Sequence, residues 1–117
     1  MILTSFNIQG LGGSSKFNSL KHIFTNLKPD VVLIQETMTE AARACSYFLR
    51  LFPCWEVCAT DSACHSGGLL CVWNPLIFEF GAFYSLVGIL LEGYVKGSVD
   101  RIKVFNCDGP YKHREGF

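Results

Sequence analysis

The chain has 117 residues and a mass of 13.1 kDa, room for one small domain. Half of its residues are hydrophobic, 17% are charged, and ten basic residues balance ten acidic ones. That composition excludes an intrinsically disordered chain and argues against capture of nucleic acid or anionic membrane by bulk charge.

Residues 1–7 form a short apolar run containing Ile2, Leu3 and Phe6, closed by Gln9-Gly10. The pattern predicts a strand followed by a loop. Gly10, Gly12, Gly13, Ser14 and Ser15 predict a turn, with Ser15 as N-cap of a helix over residues 16–27. Phe17, Leu20, Ile23, Phe24 and Leu27 fall on one face of that helix, and Pro29 stops it. Residues 31–35 are a near-continuous, β-branched apolar run, the pattern of a strand buried on both faces. Strand, helix and buried strand make a βαβ unit with parallel strands, so Asn7 and Glu36 come to one edge of the sheet, where ligands of α/β proteins gather.

A second helix is expected over residues 39–52, before Pro53. Residues 55–59, 68–73, 77–83, 87–94 and 101–106 then read as closely spaced antiparallel strands. The expected order is βαβα followed by a β-meander in one α/β domain spanning residues 1–117, with no repeat or linker.

The longest charge-free stretches, residues 66–78 and 80–91, are split by Glu79, and the first contains Pro75. Neither reaches the roughly 20 apolar residues of a spanning helix. Asn7, Gln9 and the glycine-rich segment interrupt any signal-peptide core, so an intracellular, non-membrane chain is expected. The mean hydropathy of +0.28 is high for a chain with this much surface. It implies an apolar face built for more protein, for which Ile89, Leu90, Leu91, Val95 and Val104 are candidates.

Cys45, Cys54, Cys58, Cys64, Cys71 and Cys107 allow many pairings, and spacing selects none. Without a secretory signal, buried free thiols are the expected state. A zinc set of Cys54, Cys58, Cys64 and His65 is the alternative, but its spacing fits no common finger, and adjacent ligands on a strand point apart. The segment from Gly10 to Phe17 has the context of a phosphate loop but not its sequence. Ser15 precedes Lys16 where a glycine is needed, and Phe17 follows where Ser or Thr is needed. The stronger pair is Asn7 and Glu36. A rim carboxylate can hold Mg²⁺ through oxygen, and a neighbouring amide can orient a phosphate oxygen. The plain structural alternative is that Asn7 ends a strand and Glu36-Thr37 caps the next helix.

Four segments carry a resemblance. Ser5-Phe6-Asn7-Ile8-Gln9-Gly10-Leu11-Gly12 resembles the "S-W-N-x-x-G-L-G" opening of the endonuclease/exonuclease/phosphatase superfamily. Residues 29–37, ending Gln35-Glu36-Thr37, resemble its "P-D-[hydrophobic]-Q-E-T" strand. Ser66-Gly67-Gly68 through Trp73 resembles its "S-G-G-[hydrophobic]-W" strand, and Asn106-Cys107-Asp108-Gly109-Pro110 is similar to "N-V-Y-G-P". The flavour is that of endonuclease domains of plant LINE-type (non-LTR) retrotransposons. The resemblance implies a four-layer α/β sandwich of about twice this length, of which this chain would be the truncated amino-terminal half. It implies Glu36 as the Mg²⁺ ligand, Asn7 beside the scissile phosphate, DNA as partner, phosphodiester hydrolysis as the reaction and a nuclear place of action.

Asp108 stands where that family has its active-site Tyr, and the later "D-x-N" and "S-D-H" motifs do not occur. His22, His65 and His113 lie outside any "S-D-H" context and read as surface or core residues. The expectation for this chain alone is therefore weak metal binding and little turnover. The rival expectation is a non-catalytic module that associates, with a partner or with itself, through an exposed apolar sheet face.

Overall fold

The computed structural model describes residues 1–63 and 67–107. The element order is β1 (Leu3–Asn7), α1 (Ser14–Leu27), β2 (Val31–Gln35), α2 (Ala41–Leu51), β3 (Glu56–Ala59), β4 (Leu69–Trp73), β5 (Phe78–Tyr84), β6 (Gly88–Val95) and β7 (Arg101–Cys107). The fold is α/β. One sheet has the order β1-β2-β4-β3 and the other β5-β6-β7. β1 and β2 run parallel in the register Leu3↔Val31 to Asn7↔Gln35, as a βαβ unit requires. β4 runs antiparallel to both β2 and β3, so the second half of the chain completes the first sheet before starting its own.

The described residues build three layers, helices on sheet on sheet. Strand alternation sorts the first sheet's side chains between two cores. Val32, Ile34, Leu70 and Val72 meet Leu20 and Phe24 of α1 and Ala44, Tyr47 and Phe48 of α2. Edge-on ring contacts tie this layer together, Phe6 to Phe24 at 5.6 Å and Phe17 to Tyr47 at 5.3 Å. Val31, Leu33, Leu69, Cys71 and Trp73 point the other way, onto Phe78, Ile89 and Leu91 of the second sheet. Each large side chain buried this way stabilises the fold by about 1.5–3 kcal/mol.

The expected open face is not where the sequence suggested. Ile89 and Leu91 are fully buried between the sheets, with Val95 and Val104 packed beside them. Their neighbour Leu90 points outward. Phe83, Leu90 and Phe105 align across the three strands on the outer face, where Phe83 is 55% and Phe105 46% exposed. The rest of that face carries Glu92 between Arg101 and Lys103, at 3.4 and 3.8 Å.

Both helices begin elsewhere than expected. α1 starts at Ser14 with Gly13 as N-cap and no side-chain cap, so Ser15 lies inside the first turn. At its other end, Lys28 (φ 51°) closes the helix in the left-handed region, its N–H donating to the Phe24 carbonyl. α2 starts at Ala41, not residue 39. Met38 is left-handed (φ 58°), the Thr39 carbonyl accepts from the Ser62 N–H, and the Asp61 carboxylate takes the Ala41 N–H at 2.6 Å. A carboxylate from twenty residues away thus does the work of an N-cap.

Candidate functional site

The carboxyl ends of β1, β2 and β3 and the start of β4 share one rim. Asn7 closes β1 and is exposed. Glu36 lies one residue past the end of β2, rather than at its last position, and is half-buried. The two backbones are joined there. Ile8 N–H donates to the Gln35 carbonyl at 3.1 Å, and Gly10 N–H to the Glu36 carbonyl at 2.7 Å. The Asn7 Oδ1 accepts the Gln9 N–H at 3.2 Å, an Asx turn that leaves Nδ2 as a donor at the rim.

Backbone conformation at this rim is unusual. Gln9, Glu36 and Met38 are all left-handed, with φ of 51°, 57° and 58°. Non-glycine residues adopt that region at a cost, and such residues concentrate at functional sites. Opposite them run Gly67 (φ 79°) and Gly68 (φ 87°). A Cβ on Gly67 would stand 2.9 Å from the Glu36 Cα and 3.0 Å from its Cγ, and one on Gly68 only 2.3 Å from the Thr37 Oγ1. Two glycines therefore let the Glu36–Thr37 segment lie directly on the β4 entry. The Met38 and Thr37 N–H groups donate to the Gly67 and Gly68 carbonyls, which fixes that approach.

The Glu36 carboxylate has no hydrogen bond or ion pair among the described residues. A half-buried, uncommitted carboxylate is a hard oxygen donor, and Mg²⁺ commonly takes one or two carboxylates while keeping several waters. The donor chemistry at Glu36 fits that ion. No group of three or more His, Cys, Asp or Glu side chains converges among the described residues.

Lys16 does not reach toward a ligand. Its Nζ donates to the Ile8 carbonyl and, at 2.8 Å, to the Gly10 carbonyl, clasping the glycine loop onto the helix that follows. That is the role of a structural turn. Two candidate zinc ligands also sit apart in kind. Cys54 is exposed in the turn before β3, while Cys58 is buried and faces the second sheet. Cys64, His65, Ser66, Asp108, Gly109, Pro110 and His113 lie outside the described residues. Cys58 stands across from Cys71 in the β3–β4 ladder. The Cys71 thiol holds Cys58 below its ordinary pKa, and the same contact together with burial holds Cys71 well above it. His22 sits on α1 with its ring near the Asn26 amide at 3.2 Å, away from the rim.

Sequence reasoning missed the support beneath the rim. Gln35 donates from Nε2 to the Ser5 Oγ at 3.0 Å and to the Asn106 Oδ1 at 2.9 Å. Asn106 is 1% exposed and donates from Nδ2 to the carbonyls of Ile34 (3.1 Å) and Leu70 (2.9 Å). One amide thus ties β7 of the second sheet to β2 and β4 of the first, directly behind Glu36. The available signal was an Asn inside a run alternating Ile102, Val104 inward, where a polar residue needs buried partners. The chain matches no protein-family model and no curated protein.

Proposed function

We propose that this chain is a portion of a Mg²⁺-dependent phosphodiester-cleaving domain, of the DNA endonuclease kind found in LINE-type retrotransposons. Glu36 is its metal-binding carboxylate, and Asn7 its contact to the phosphate. One observation carries the reading. Three segments that resemble the superfamily's signatures, far apart in sequence, converge on one rim. There the Glu36 carbonyl accepts from Gly10 beyond the Asn7 turn, and the residues after Glu36, Thr37 and Met38, donate to the Gly68 and Gly67 carbonyls. Asn106 of the fourth segment anchors the residue before Glu36.

When bound, Mg²⁺ supplies charge neutralisation at a phosphate oxygen. Glu36 offers the oxygen ligand. Asn7 offers its Nδ2–H to a second phosphate oxygen, since its Oδ1 is already engaged by Gln9. Gln35, held from both sides by Ser5 and Asn106, fixes the strand end from which Glu36 projects. The groups that position water and stabilise the leaving oxygen in the superfamily belong to the "D-x-N" and "S-D-H" motifs, which this sequence lacks. Catalytic groups act as a unit, so this chain on its own binds metal weakly and turns over little.

The experiment is plasmid nicking with Mg²⁺, run beside an NMR titration of the amide spectrum with Mg²⁺. The reading expects little nicking, and small shifts confined to residues 7–10, 35–38 and 67–69 that vanish in Glu36→Gln. Shifts that persist in that variant would refute the metal role. Robust nicking abolished by Glu36→Ala would keep the nuclease and overturn the low turnover.

The outward row of Phe83, Leu90 and Phe105 favours a second reading, a module that self-associates through the outer face of β5–β7. A discrete dimer in sedimentation velocity supports it.

A further inference from the structure

From the rim, a groove runs across the helical layer. A depression of about 200 Å³ between Gly10, Gly12, Thr37, Met38 and Arg43 adjoins a second of about 430 Å³ that reaches Phe17, Tyr47 and Arg50. Leu11, Gly12 and Arg43 belong to both, so the two are continuous, and Thr37 and Met38, which follow Glu36, line the first. No acidic side chain lines either part among the described residues. The chain as a whole is neutral, so this is a local concentration of positive charge on a protein without a general one.

Arg43 and Arg50 stand seven residues apart on α2, two turns of one face and about 10 Å along the axis. Both are exposed, and neither has an acidic partner among the described residues. The Arg50 guanidinium lies 4.5 Å over the Phe17 ring and 5.6 Å from that of Tyr47. Stacking fixes the plane of the group and leaves its edge N–H donors for oxygen acceptors. Two guanidinium groups on one face of a helix, both free of acidic partners, can each take a phosphate of the same strand.

We propose that this groove holds the sugar-phosphate backbone of the DNA strand beyond the phosphate at Glu36, with Arg43 and Arg50 as its two phosphate contacts. The inference rests on the phosphodiesterase reading for the identity of the polymer, but not for the binding it anticipates. The contacts are electrostatic and independent of sequence, and they act without metal.

The test is fluorescence anisotropy of a labelled duplex of about 20 base pairs in EDTA, over about 50–200 mM potassium chloride. Arg43→Gln/Arg50→Gln weakens binding about tenfold at the lowest salt and lowers the magnitude of the log–log salt slope by about 2. Arg43→Gln alone, which disturbs no ring contact, lowers it by about 1. Arg43→Lys/Arg50→Lys keeps the slope. Lys21→Gln/Lys28→Gln, at the opposite edge of the helical layer, leaves it near the wild-type value. An unchanged slope in the double Gln variant, an equal drop in the Lys21/Lys28 control, or no binding by the wild type overturns the proposal. The two readings are separable because this binding is read without metal: loss of the slope effect in Arg43→Gln/Arg50→Gln with the Mg²⁺ shifts intact overturns the groove alone, and loss of the Mg²⁺ shifts with the slope effect intact overturns the metal site alone.

Discussion

Asn106→Ala removes three hydrogen bonds to oxygen and nitrogen partners at one buried point, the two that Nδ2 donates to the Ile34 and Leu70 carbonyls and the one that Oδ1 accepts from Gln35, together with a longer contact from Nδ2 to the Cys71 Sγ at 3.7 Å. At about 1 kcal/mol each, with a further contribution from the void left at a fully buried position, the loss comes to about 3–4 kcal/mol. For a domain of this size about 1 kcal/mol lowers the midpoint by roughly 4 °C, so the thermal midpoint followed by circular dichroism should fall by roughly 12–16 °C. Asn106→Asp keeps the volume but sets a carboxylate against two carbonyl oxygens, and at pH 7 it should cost at least as much. The Gln35→Ala/Asn106→Ala cycle should return a coupling of about 1 kcal/mol, since Gln35 keeps its bond to Ser5 when Asn106 is gone. A midpoint shift under about 3 °C for Asn106→Ala would refute the claim that this amide joins the two sheets.

Gly68→Ala would drive a methyl to 2.3 Å from the Thr37 Oγ1 at a left-handed backbone. It should cost about 2–4 kcal/mol in urea unfolding and erase the Mg²⁺-induced shifts around Glu36. Phe83→Ser/Phe105→Ser should lower the sedimentation coefficient at high concentration with no loss of thermal stability, because both rings stand on the outer face. Toward a thiol reagent in the native state, Cys54 and Cys107 should react first, and Cys71 only on unfolding, because it is buried and its pKa is held well above the ordinary thiol value. Partial burial and the neighbouring Cys58 push the Tyr84 phenol up to about 12. Its neutral form is favoured in the folded chain, so its contribution to stability is complete below pH 10 and lost as pH rises toward 12. Ultraviolet titration should show one late tyrosine that Tyr84→Phe removes.

The first half of the fold was legible because its signals are local. An apolar strand, a helix with Phe17, Leu20 and Phe24 on one face, and the near-continuous apolar run over 31–35 fix β1–α1–β2 without reference to distant residues. The parallel rim followed from topology alone. The second half was less legible. β3 and β4 join the first sheet through pairs such as Val32↔Val72, and nothing near residue 72 announces that partner. In β6, Leu90 interrupts the polar side that Glu92 and Tyr94 mark, so the run Ile89-Leu90-Leu91 does not by itself say which side is covered. The start of α2 depended on Asp61, a contact that exists only once the chain has folded. At the site, Asn7 and Glu36 were visible as polar ends of apolar strands. The clasp of Lys16, the left-handed Glu36 and the Gln35–Asn106 link were not, because each is a relation between segments rather than a pattern within one.

The most direct measurement uses Mn²⁺ as a paramagnetic stand-in for Mg²⁺ and reads amide line broadening residue by residue. Broadening should centre on residues 7–10, 35–38 and 67–69 and be lost in Glu36→Gln while the rest of the spectrum stays in place. Broadening centred elsewhere, or unchanged in that variant, would contradict a metal corner built on Glu36.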